Sequence, residues 1–109
     1  MNNSFVVSLN NQTIHTYSEP RIPGRLIRYL QEMSEDMDSG IQLGEQWLPI
    51  PTELQKLQYV ATVLFDSLQK NDTNLINITS AFLADKFDSE TQIQITQQEE
   101  LFNLKIISK

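Results

Sequence analysis

The chain contains no cysteine. Disulfides, thiolate nucleophiles and cysteine-ligated metals are therefore excluded, and the composition suits a reducing cytoplasm. Histidine occurs once, at His15, which is too little for a histidine-based metal site. Only three glycines are present, and neither a GxGxxG nor a P-loop occurs, so backbone cradles for phosphate are scarce. HExxH is missing as well. No apolar run approaches the roughly 20 residues of a membrane-spanning helix. The opening MNNSFVVSLNNQ lacks a basic segment and its apolar run is short, so no secretory signal is expected. Basic residues are outnumbered: 8 Lys and Arg stand against 14 Asp and Glu, for a net charge of −6 and a pI near 4.6. Such a chain has no general field for nucleic acid or anionic membrane.

What remains is a chain of 109 residues, 39% hydrophobic, long enough for one domain (1–109) with a modest core. SFVVSL (4–9) and TIHTY (13–17) are β-branched and aromatic, and asparagines between them tolerate the positive φ of a tight turn, which predicts a hairpin. Pro20 and Pro23 bracket a linker. Ile22, Leu26, Leu30, Met33, Met37 and Ile41 then recur at spacings of four, four, three, four and four, one face of a helix over 23–39 that Gly40 can close. Residues 41–51, with Pro49 and Pro51, read as an irregular connection.

A second helix begins at a capping box, Thr52 with Gln55. Leu54, Leu57, Ala61, Leu64 and Leu68 make its stripe, widened by Tyr59, Val60, Val63 and Phe65, so this helix is expected to be central. Asp72 or Thr73 can cap a third helix over 73–87, with Leu75, Ile78 and Phe82 facing inward. TQIQIT (91–96) and LFNLKII (101–107) alternate as strands of a second hairpin. The connecting loop has no glycine, so a helical reading of 97–107 stays open. The fold expected is α+β, three helices packed on a small antiparallel sheet formed by N-terminal and C-terminal strands.

EMSEDMDSG (32–40) places four carboxylates in seven positions. A calcium loop fails on register: counting back from Gly40 puts Met37 where an oxygen ligand belongs, and Gln46 where the bidentate glutamate belongs. On a helical wheel Glu32, Glu35 and Asp36 lie opposite the apolar stripe, and so do Arg21, Arg25 and Arg28. The exposed face thus runs from basic to acidic, the reverse of what the helix dipole favours. A solvated surface or a tertiary ion pair accounts for this order. The functional alternative is that Arg21, Arg25 and Arg28 meet an anionic partner.

Trp47 and Leu48 sit in the proline-bounded GEQWLPIP, either capping the core or anchoring a partner loop. No catalytic residue, cofactor or metal is expected. The leading reading is a small cytoplasmic interaction or regulatory protein with a protein partner; self-association stays open, and membrane or nucleic-acid binding is not expected. Two alternatives remain. One is a nucleic-acid-associated protein using the Arg patch. The other is a small-molecule-binding protein or enzyme, whose mark would be a pocket lined by Arg25, Tyr29 or His15.

Overall fold

Two asparagines make the first turn of the chain. In the computed structural model, which describes residues 4–19, 22–87 and 90–108, Asn10 and Asn11 have φ of 50° and 69°. That left-handed pair joins β1 (Phe5–Leu9) to β2 (Gln12–Tyr17) as an antiparallel hairpin. The register shifts between Val7 and Ser8, leaving Ile14 of β2 without an opposite residue. The second hairpin pairs β5 (Thr91–Gln98) with β6 (Leu101–Ser108). Its two-residue turn puts Glu99 at φ 54°, a conformation the local sequence does not signal. The helical alternative for 97–107 is thereby removed.

The two hairpins join edge to edge as a sheet of order β2-β1-β5-β6. The joining pair, β1 and β5, is parallel. The expected all-antiparallel sheet is corrected on this point: both hairpins are antiparallel, but strands linked through a long crossover can meet in either sense. Asn10 extends the joint past the end of β1. Its side-chain Nδ2 donates to the Gln97 carbonyl (3.1 Å), and its Oδ1 accepts from the Gln97 N–H (3.0 Å). One amide side chain thus supplies both halves of a ladder step. Phe5, Val7, Thr91, Ile93 and Ile95 are buried, whereas Gln92, Gln94 and Thr96 alternate outward. Phe5 stacks on Tyr17 (5.6 Å) and meets Phe87 edge-on (5.7 Å).

Contacts divide the chain into two units, 1–21 with 84–109 carrying the sheet, and 22–83. The second unit opens with Pro23 at ψ 131°, which postpones the expected helix. A 3-10 turn, Gly24–Leu26, comes first, closed by the Leu26 N–H donating to the Pro23 carbonyl (2.9 Å). Helix α1 then runs over Ile27–Asp38, shorter than 23–39, with Leu30 and Met37 buried, as is Leu26 in the turn before it. Gly40, at φ 115°, ends it.

The connection 41–51 is not wholly irregular. β3 (Ile41–Leu43) and β4 (Gln46–Leu48) form a separate two-stranded sheet, so β-structure is not confined to the chain's two ends. Gly44, at φ 64°, permits the turn, and Ile41 and Leu48 pair as buried partners. Three-residue strands are too short to show a period of two.

Helix α2 (Glu53–Lys70) carries the capping box in full. The Gln55 N–H donates to Thr52 Oγ1 (3.2 Å) and the Thr52 N–H donates to Gln55 Oε1 (2.8 Å). Val60, Ala61, Leu64 and Phe65 are buried along it; Leu54, assigned to the same stripe from its spacing, is 55% exposed. Asn71 at φ 56° terminates α2, and Asp72 Oδ1 accepts the Leu75 N–H (3.3 Å) to start α3 (Thr73–Lys86). Residues 79–84 are all buried, while Leu75 faces outward. No helix among the described residues is long and apolar enough to cross a membrane.

Candidate functional site

Among the described residues, the charges of α1 and of the turn before it are only partly matched. Arg28 Nε lies 3.3 Å from Glu32 Oε1, one helical turn on. Lys56 Nζ reaches across from α2 to Asp38 (2.6 Å) and lies 3.6 Å from Glu53. The Lys56 side chain is only 12% exposed, and its hydrogen bond to Asp38 raises its pKa despite burial. This tertiary pair answers one of the acids that oppose the α1 dipole. Among the described residues, Arg25, Glu35 and Asp36 have no ion-pair partner. Arg21 lies outside the described residues.

Beside α1, the second unit contains a cavity of about 340 Å³ that β3, α2 and α3 also wall. Met33, Met37, Tyr59, Val63 and Ile78 give it an apolar lining, and Glu32 and Asp36 line its α1 side. A second cavity, of about 520 Å³, is lined by Arg25, Leu26, Tyr29, Asn74, Asn77 and Ile78. Tyr29 and Ile78 line both, so the two adjoin. Arg25 therefore lies toward one end and Asp36 toward the other, with the half-exposed Tyr29 between them.

The residues singled out from the sequence separate here. Arg25 and Tyr29 line a cavity; Arg28 is engaged by Glu32 and lines neither; Trp47 and Leu48 lie on β4, also outside both linings. Leu48 is buried, whereas Trp47 is 56% exposed with its ring over Gly40. His15 belongs to the sheet unit, half-buried with its ring 6.1 Å from that of Phe5. Tyr59, Val63 and Ile78 were legible only as core positions. Their part in a cavity follows from α2 and α3 coming alongside α1, which spacing along one helix does not reveal.

Two consequences can be measured. The Arg28 side chain is 88% exposed and that of Glu32 is 54% exposed, so their pair adds little to stability. Arg28→Gln is expected to move the thermal midpoint by no more than about 4 °C. Arg25→Gln should leave it unchanged or slightly raised, because a cation is removed from the positive end of a helix. A fall beyond about 10 °C in either melt would show a charge held in the interior.

Burial lowers the pKa of His15 from its ordinary value of 6.5. The unfolded chain therefore takes up this proton first as the pH falls. The contribution to stability is full above pH 6.5 and is lost as the pH drops through the lower, folded value. Urea midpoints should fall between about pH 7.5 and about pH 5.5. The fall should be smaller in His15→Gln, and identical profiles would contradict the burial of this ring.

Comparison with protein-family models, with curated proteins and with solved structures gave no match for this chain.

Proposed function

We propose that the protein is a small, non-catalytic interaction module whose docking surface is the outer face of α1 together with the adjoining apolar cavity. The observation that carries this reading is the juxtaposition in the second unit. A concave apolar lining of Met33, Tyr59, Val63 and Ile78 lies against the α1 face, where Arg25 in the preceding turn and Glu35 and Asp36 on the helix have no ion-pair partner among the described residues. Surfaces of this kind, an apolar centre rimmed by charge, suit protein partners. The acids of α1 stand on an exposed helix surface, which is not the closed and opposed geometry of acid–base catalysis.

The test is affinity capture of the tagged protein from its own host, in parallel with Tyr29→Ala and Met33→Lys. Proteins retained by the wild-type chain and lost from both variants support the reading. Equal capture by all three chains, or no enrichment over the bare tag, overturns it.

The same cavities favour a second reading, the binding of a small amphipathic molecule, since Arg25 and Tyr29 line one of them. A thermal-shift screen of small molecules would favour that reading if stabilisation by a hit disappeared in Met33→Lys and Tyr29→Ala. A nucleic-acid role has less behind it, because Glu32, Glu35 and Asp36 share α1 with Arg28 and follow Arg25 in the turn before it, and would repel phosphate.

A further inference from the structure

We infer that the partner of the α1 face is a second copy of this chain, docked with the two α1 helices antiparallel about a two-fold axis. The inference rests on the reading of that face as a docking surface and names what occupies it.

At about 100° per residue, Arg28, Tyr29, Glu32, Glu35 and Asp36 fall within an arc of about 120°. All five are exposed, Tyr29 at 53%. Arg25, in the turn just before α1, lines the same cavity as Tyr29 and so lies on that side. The stripe begins basic, passes through a tyrosine and ends acidic. A face with that order is complementary to itself when reversed, which is the requirement of an isologous two-fold contact.

An axis passing midway between positions 30 and 31 sets Arg25 opposite the partner's Asp36. It sets Tyr29 opposite the partner's Glu32 and Arg28 opposite the partner's Met33. Arg28 then lies between the partner's Glu32 and the partner's Glu35. Each contact occurs twice. Tyr29 and Met33 supply the apolar centre at the edge of the cavity, where the ring of one copy meets the thioether of the other.

The intramolecular pairs sharpen the choice of occupant. Lys56 already satisfies Asp38, and Arg28 engages Glu32. Among the described residues Arg25, Glu35 and Asp36 are left without an ion-pair partner, a cation at one end and anions at the other. Each opposes the dipole of its own helix. Across an antiparallel contact each faces the favourable end of the other helix, so an order that is adverse within one copy becomes attractive between two. A face built around one helix is small, so the dimer is expected to be weak and concentration-dependent.

Sedimentation velocity of the full chain, from micromolar to near-millimolar concentration, tests this directly. The wild-type chain should pass from monomer to dimer. Arg25→Asp and Asp36→Arg, both at exposed positions, should each weaken self-association about tenfold or more by setting like charges against each other. An equimolar mixture of the two variants should dimerise again, because the exchanged charges then attract at both contacts. Thermal melts confirm that each variant is folded.

A wild-type chain that stays monomeric throughout overturns the inference. So does a dimer indifferent to both substitutions, or a mixture no better than its components. A monomeric chain that still captures a different protein, lost in Tyr29→Ala and Met33→Lys, would leave the docking surface standing and remove only the second copy as its occupant.

Discussion

Gly40→Ala is expected to cost about 2–4 kcal/mol, mainly because of the backbone it must adopt. Gly40 closes α1 and opens β3 at φ 115°, a region an L-residue enters only under strain. A second effect adds to the first. A methyl group built at this position would collide with the six-membered ring of Trp47, coming within 2.9 Å of its Cη2. Trp47 is 56% exposed, so its ring can swing toward solvent and relieve much of the collision. The φ angle cannot be relieved without moving the junction of helix and hairpin. The backbone contribution should therefore outlast the steric one.

Urea unfolding of Gly40→Ala, Trp47→Ala and the double variant separates them. Adding Trp47→Ala should recover no more than about 1 kcal/mol of the Gly40→Ala loss. Full recovery would place the whole cost in the ring. A Gly40→Ala loss under about 0.5 kcal/mol would deny the left-handed conformation altogether.

Local chemistry was the legible part of this fold. The Thr52 and Gln55 box, the asparagine turn and the alternation of Thr91, Ile93 and Ile95 each depend on residues within a few positions of one another. The parallel joint between β1 and β5 depends on residues far apart; the Asn10–Gln97 bonds span 87 positions, and neither segment alone encodes the direction of pairing. The β3–β4 hairpin is not legible for another reason: a glycine turn between three-residue strands leaves almost no periodic signal.

The candidate site divides along the same line. The basic-to-acidic order of α1 can be read from a wheel, since it belongs to one helix. Its partial neutralisation by Lys56 cannot, because that lysine arrives from α2, and neither can the cavity whose far walls are Tyr59 and Ile78.

The amphipathic stripe of α2 shows how far spacing alone carries. Leu54 and Leu64 stand in one series of apolar positions, yet Leu64 is fully buried and Leu54 is 55% exposed. Truncating Leu64 to alanine is expected to cost about 2–5 kcal/mol, the transfer of the lost carbons plus the cavity they leave. Val60, Ala61 and Phe65 beside it are all buried on a continuous helix, which limits how far the site can collapse and puts the value toward the upper half of that range. Leu54→Ala removes the same atoms from the first turn of the same helix, where water already reaches them, and alanine is the better helix former. Its cost should stay below about 0.5 kcal/mol. Because the chemistry of the change is identical, the difference in urea midpoint between the two variants measures burial rather than residue type. Equal losses would mean that the stripe extends into the first turn and that α2 enters the core a full turn earlier than this structure has it. A Leu64→Ala loss under about 0.5 kcal/mol would show that this face of α2 is not buried.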